Sequence, residues 1–181
     1  LNFENINTGA GNDTIYGTGG ANRINAGAGH DRVYAGAGND TITGGKGNDY
    51  LVGGLNNDVI NGTSYAAQGT GERDILVSGS LQDQDLFVLG ERRSGIGRVF
   101  YNDQGFADHA VIQDFDVYDF AGDLADKIQL LGSASSYSVS NVTVNGVSGA
   151  GIYFQHDLIG IVEGVRASSL NLHNSNQFTY A

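Results

Sequence analysis

Residues 8–61 fall into six consecutive blocks of nine: TGAGNDTIY (8–16), GTGGANRIN (17–25), AGAGHDRVY (26–34), AGAGNDTIT (35–43), GGKGNDYLV (44–52) and GGLNNDVIN (53–61). An apolar residue recurs at Ile6, Ile15, Ile24, Val33, Ile42, Leu51 and Ile60. Two residues before each stand Glu4, Asp13, Asn22, Asp31, Asp40, Asp49 and Asp58. Four residues before the apolar position come Gly11, Gly20, Gly29, Gly38 and Gly47, and a second glycine series runs through Gly9, Gly27, Gly36, Gly45 and Gly54. A fixed short period of this kind marks a solenoid, in which each block is one structural unit that buries its apolar face only by stacking on its neighbours.

Each block divides into a turn and a strand. Alternate glycines permit the positive φ angles of a tight turn. The triplets that follow, Thr14-Ile15-Tyr16, Arg32-Val33-Tyr34, Thr41-Ile42-Thr43 and Tyr50-Leu51-Val52, carry the β-branched and aromatic residues that suit a pleated strand. Their central residue points to one face and its neighbours to the other. The interior is therefore a thin stack of Ile, Val and Leu. Coils stack at about 4.8 Å, so three or four of them give a rod of only about 15–20 Å. Apolar burial alone does not hold such turns closed.

The blocks resemble the RTX (repeats-in-toxin) nonapeptide, glycine–glycine–x–glycine–x–aspartate–x–apolar–x, and five of the six keep the Asp. The resemblance implies an all-β fold, a parallel β-roll in which two blocks make one coil and successive blocks lie on opposite edges. It also implies calcium held between neighbouring turns of one edge. Calcium takes six to eight oxygen ligands from carboxylates and carbonyls. Asp is a short carboxylate, and glycine-rich turns present carbonyls. The metal-binding set implied is Gly9, Gly11, Asp13, Asn22, Gly27, Gly29, Asp31, Gly36, Gly38, Asp40, Gly45, Gly47, Asp49, Gly54 and Asp58. The strong pairs are then Asp13–Asp31, Asp31–Asp49 and Asp40–Asp58. The neutral Asn22 weakens its pairing with Asp40, and Glu4–Asn22 is weaker still. His30 precedes Asp31 in a turn where only its backbone is expected to matter. Without cations the carboxylates of one edge repel one another.

After residue 61 the chain reads GTSYAAQ, and the register returns at Asp74-Ile75-Leu76 after a seven-residue insertion. Asp85 and Phe87 follow two residues late, and Phe87 is the first aromatic in the inward register. These residues read as final coils that widen and close the roll, with Asp74 a further metal ligand. A boundary is expected near residue 90, at the basic cluster Gly90-Glu91-Arg92-Arg93-Ser94-Gly95, read as a solvated loop. The chain then divides into a roll over 1–90 and a C-terminal antiparallel β capping module over 91–181. In that module, strands are expected over 98–101, 110–112, 127–131, 137–144, 151–154 and 158–162. Turns are expected at Asn145-Gly146 and Gly149-Ala150-Gly151. The segment AVIQDFDVYDFAGDLADKIQLLG (110–132) resembles a pattern found just after RTX repeats, closest to cyanobacterial hemolysin-type proteins. It gathers Asp114, Asp116, Asp119, Asp123 and Asp126, of which Asp114 and Asp123 are added to the metal set. Phe115 and Phe120 would pack on the end of the roll.

Composition agrees with this reading. The 181 residues hold 9 Lys+Arg against 20 Asp+Glu, a net charge of −11, with 29 Gly and no Pro, Cys, Met or Trp. The absence of Cys excludes disulfides, thiol catalysis and thiolate metal sites. An acidic chain favours cations as partners over nucleic acid or anionic membranes. No apolar run approaches the about 18 residues of a membrane-spanning helix. His30, His109, His156 and His173 show no zinc-hydrolase spacing, no Gly–x–Ser–x–Gly elbow occurs, and no enzymatic activity is expected. The resemblance implies a module of a larger exported protein that is unfolded at low calcium and folded by about four to six extracellular calcium ions. Its partner would be the type I secretion machinery, addressed by a signal in the last 50 or so residues, ending Asn176-Gln177-Phe178-Thr179-Tyr180-Ala181. The alternative is an adhesin or surface-layer module that binds polysaccharide or a cell surface. Its sugar-stacking residues would be the outward Tyr16, Tyr34 and Tyr50.

Overall fold

The computed structural model describes residues 4–64, 66–69, 71–102, 107–117 and 125–181. The apolar period becomes two stacked parallel sheets. The first contains β1 (Glu4–Asn7), β3 (Asn22–Ala28), β5 (Thr41–Lys46), β7 (Val59–Thr63), β9 (Leu86–Val88), β13 (Lys127–Leu130) and β17 (Phe178–Tyr180), in that order. The second runs from β2 (Thr14–Tyr16) through β4 (Arg32–Ala37), β6 (Tyr50–Leu55), β8 (Arg73–Val77) and β12 (His109–Gln113) to β16 (Asp157–Glu163). Two further strands, β15 (Val147–Phe154) and β14 (Tyr137–Val144), complete it.

Register follows the apolar column strand by strand. On the first sheet Ile6, Ile24, Ile42, Ile60, Phe87, Ile128 and Phe178 stand one above another. On the second the column is Ile15, Val33, Leu51, Leu76, Ile112 and Val162. Ile24, Ile42, Leu51, Ile60, Leu76, Phe87, Ile112 and Ile128 are at most 1% exposed, so these two columns form the core. The insertion leaves the expected register in place: Leu51 pairs with Leu76, and Ile60 with the late Phe87.

At residue 90 the sheets do not stop. β12 joins β8 and β16 joins β12 in parallel, while β13 joins β9 and β17 joins β13, also in parallel. The C-terminal half thus extends the same two sheets. Among the described residues its antiparallel pairing is that of β14–β15–β16 and of the hairpin of β10 (Gly90–Arg93) with β11 (Ile96–Val99). The basic segment expected as a loop is one arm of that hairpin, because Ser94 and Gly95 both adopt positive φ and close a tight turn. Gly149-Ala150-Gly151, expected as a turn, lies inside β15. A Cβ at Gly149 would strike the carbonyl of Val162, so glycine serves close strand approach there. Phe115 packs on Phe87 with ring centroids 5.9 Å apart, but Phe87 lies inside the column, which Ile128 and Phe178 continue, so the contact is not at the end of the roll. Phe120 and Asp119 lie outside the described residues. Among the described residues no helix is long and apolar enough to cross a membrane.

Candidate metal centres

Positive φ at the alternating glycines lets each turn fold back and lie flat on the turn one coil away. Gly45 has φ +123°, and a Cβ on it would run into the Gly27 carbonyl of the neighbouring coil. Gly9, Gly11, Gly27, Gly29, Gly36, Gly38, Gly47 and Gly54 share that left-handed backbone. Asn56 takes the same register with φ 75°, a conformation that Asn tolerates better than most residues.

The turns place the aspartates in two rows, one along each edge. On the first edge the backbone N–H of Asp13 donates to Asp31 Oδ1 (2.8 Å), that of Asp31 to Asp49 Oδ1 (2.9 Å), and that of Asp49 to Asp74 Oδ1 (2.8 Å). On the second edge Asn22 donates to Asp40 (2.6 Å), Asp40 to Asp58 (2.8 Å), Asp58 to Asp85 (2.8 Å) and Asp85 to Asp126 (2.8 Å). Every row carboxylate after Asp13 therefore spends Oδ1 on the coil before it. A second ladder runs the opposite way one residue earlier. His30 N–H donates to Asn12 Oδ1, Asn48 N–H to His30 Nδ1, and Arg73 N–H to Asn48 Oδ1. The His30 ring thus takes the place of an Asn side chain, so more than its backbone matters.

The other carboxylate oxygen sets the chemistry. Oδ2 of Asp13, Asp31, Asp40, Asp49, Asp58 and Asp85 is buried and accepts no hydrogen bond. Beside Gly44, Asp49 Oδ2 and the carbonyl oxygen of Gly62, one coil on, crowd the same space. Beside Gly53, Asp58 Oδ2 and the Ser78 carbonyl do the same. Ala26 and Ala35 hold the equivalent register in the earlier coils and are fully buried, so only a small residue fits there. Two acceptors facing one cradle repel unless a cation lies between them, and an unpaired buried carboxylate carries a large desolvation penalty. Burial pushes the carboxyls of Asp49 and Asp58 up to about 8, against partial relief from the N–H each accepts. Burial also raises Asp40, and lifts Asp85 to about 6 and Asp126 to about 8. The donor set is carboxylate plus carbonyl oxygen, all hard ligands, which suits calcium. Among the described residues no three His, Asp or Glu side chains converge, so each cradle would pair a carboxylate with backbone oxygens.

Three positions in the rows differ. Asn22 donates its Nδ2 to the carbonyls of Gly20 (2.6 Å) and Ala35 (3.3 Å) and to Asp40 Oδ1 (2.9 Å). Asp74 Oδ2 accepts the hydroxyl of the fully buried Tyr101. Asp126 Oδ2 accepts the N–H of Asp116 at 2.9 Å. Asp114 is exposed at the end of β12 and enters neither row, and Asp123 lies outside the described residues. Asp85 and Asp126 join the rows although the metal set read from sequence omits them. Their signal was present: each stands two residues before a core residue, Phe87 or Ile128, as every repeat Asp does.

No curated protein matches the chain. The solution structure of the AlgE6R3 subunit from the Azotobacter vinelandii mannuronan C5-epimerase aligns over 95% of this chain and 80% of its own, at 24% identity and a TM-score of 0.43. Residues 3–33 and 27–60 match the family model of the RTX calcium-binding nonapeptide repeat. Residues 3–60, which carry the glycine turns and the rows from Asp13 to Asp58, are thus similar to RTX calcium-binding nonapeptide repeats.

Proposed function

We propose that this chain is a calcium-responsive module of an exported protein, disordered in its repeat region at cytoplasmic calcium and folded by extracellular calcium. The observation that carries the reading is the set of six buried aspartate Oδ2 atoms, on Asp13, Asp31, Asp40, Asp49, Asp58 and Asp85, that accept no hydrogen bond. At low calcium these oxygens make closure of the roll unfavourable. When calcium is abundant, its binding free energy becomes folding free energy. Asp13, Asp31, Asp40, Asp49 and Asp58 would supply carboxylates, and the turns at Gly9, Gly11, Gly27, Gly29, Gly36, Gly38, Gly45, Gly47 and Gly54 would supply carbonyls. A chain that stays open until it reaches calcium suits passage through a type I secretion channel, and the family matched by residues 3–60 is consistent with that route.

The test is far-UV circular dichroism of the full chain in chelator, in millimolar calcium and in millimolar magnesium. Calcium should add β-structure cooperatively. Magnesium should not, because it demands tighter octahedral geometry and keeps its waters. A spectrum unchanged between chelator and calcium would remove the reading. The adhesin alternative has one observation in its favour: Tyr16 is 72% exposed and stacks on Tyr34 at 5.3 Å, with ring planes 11° apart. Calcium-dependent retention on a polysaccharide column, lost in Tyr16→Ala, would favour it.

A further inference from the structure

Orphaned carboxylates run consecutively along each row, Asp13, Asp31 and Asp49 on the first edge and Asp40, Asp58 and Asp85 on the second, and satisfied positions stand beyond them. Wherever an Asp Oδ2 faces a carbonyl of the next coil, acceptor meets acceptor, as at Asp49 with Gly62 and at Asp58 with Ser78. At the ends marked by Asn22, Asp74 and Asp126, acceptor meets donor. Asn22 is in the Asp register of the second edge, and its Nδ2 donates to the Ala35 carbonyl. Ala35 lies thirteen residues beyond Asn22, as Gly62 lies beyond Asp49, so an N–H stands there where a carboxylate oxygen stands in the other coil. Beside Gly62 the nearest atoms are Asp74 Oδ2 and the Tyr101 hydroxyl, the latter where a next-coil carbonyl would face the carboxylate. Tyr101 is held for this by its own backbone. It adopts φ 54°, its N–H donates to the Gln68 carbonyl at 2.8 Å, and its ring lies against Gly69. On the other edge the Asp116 N–H serves Asp126 Oδ2.

We propose that Asn22, Tyr101 and the Asp116 N–H are protein donors standing in for cations at three ends of the two rows, so that the rows, among the described residues, take six calcium ions, three on each edge. The inference rests on the calcium reading above and adds where the rows stop. The six ions sit with Asp13, Asp31 and Asp49 on the first edge and with Asp40, Asp58 and Asp85 on the second. Asp74 and Asp126 take part through Oδ1 alone and bind no ion through Oδ2. The stop at Tyr101 has a structural reason: the next residue in register on β12 is Ala110, which carries no carboxylate to continue the row. A proton donor closes the last carboxylate without needing a further coil.

The test is calcium stoichiometry by equilibrium dialysis on the full chain, with circular dichroism as the fold control. The described rows of the wild type should bind six ions. Asn22→Asp and Tyr101→Phe each turn a donor–acceptor contact into an orphaned carboxylate, and each should bind seven. The double variant Tyr101→Phe/Asp74→Asn removes donor and charge together and should return to six. It also keeps the test open if Tyr101→Phe alone fails to fold. A wild type that binds no calcium would overturn the underlying reading. A wild type that binds calcium, with the same count in Asn22→Asp and Tyr101→Phe, would overturn this inference alone. A double variant that folds and binds five would show that Asp74 Oδ2 holds an ion, with the same consequence.

Discussion

Asp49 separates the two jobs of a row carboxylate, because substitution can remove one job or both. It is 2% exposed; Oδ1 accepts the Asp31 N–H at 2.9 Å, and Oδ2 faces the Gly62 carbonyl. Asp49→Asn keeps an amide oxygen for the N–H and loses the charged ligand. Asp49→Ala loses both. At free calcium about 100-fold above the site's dissociation constant, one lost ion costs about 2.7 kcal/mol. A buried N–H left without its acceptor costs about 1–3 kcal/mol more. In calcium, therefore, Asp49→Asn should lose about 2.7 kcal/mol and Asp49→Ala about 4–6 kcal/mol. In chelator the order should spread further. Asp49→Asn removes a carboxyl that burial pushes up to about 8 and should be at least as stable as wild type, whereas Asp49→Ala should be less stable. The assay is urea unfolding at fixed free calcium, repeated in chelator on whatever cooperative structure remains. Equal losses for Asn and Ala in calcium would refute the division of labour between Oδ1 and Oδ2.

The metal-free fold should lose stability as pH rises. Burial lifts Asp49, Asp58 and Asp126 from 3.8 to about 8 and Asp85 to about 6, so between about pH 4 and 8 the folded chain holds more protons than the unfolded one. That stabilisation is complete below pH 4 and fades through the folded values. In chelator the residual β-structure seen by circular dichroism at pH 5 should exceed that at pH 8.5, and the reverse order would contradict the buried-carboxylate account. Over the same window the calcium midpoint should fall with rising pH, as fewer protons compete; a pH-independent midpoint in a calcium titration would count against it. Gly45→Ala forces a side chain into φ +123° and onto the Gly27 carbonyl, and should lower stability in calcium by about 1–2 kcal/mol or more on urea unfolding. Phe87→Ala empties the fully buried column site against Phe115 and should cost about 3–5 kcal/mol in the same assay.

What could be read from the sequence was whatever repeats locally. Ile15 to Ile60 and Asp13 to Asp58 are spaced by nine, so their columns and edges follow from counting. The insertion before Asp74 was recovered because Asp-x-Leu resumed within one block. Past residue 90 the same counting fails for a physical reason. β12, β13, β16 and β17 add to the sheets in parallel after excursions of unequal length, and parallel pairing leaves no turn signature to fix register. Hence Asp126, two residues before Ile128, read as part of an acidic loop when it belongs to a row. Tyr101 was beyond reach by any periodicity. Its role comes from one positive-φ residue that turns a phenol back across coils onto Asp74.

The ladders also set a kinetic asymmetry. Through the first coils every same-edge contact closes a loop of one size: Asp13 with Asp31, Asp31 with Asp49, and Asp40 with Asp58 are each 18 residues apart. At the far end the separations grow to 25 for Asp49 with Asp74, 27 for Asp58 with Asp85 and 41 for Asp85 with Asp126. Loop-closure entropy rises only with the logarithm of length, so the 41-residue closure costs about 0.7 kcal/mol more than an 18-residue one. Each step among the first coils meets the same small barrier whatever the number of coils already in place. Adding further nine-residue blocks to the segment before Asp49 should lengthen the rod without slowing the addition of any one coil.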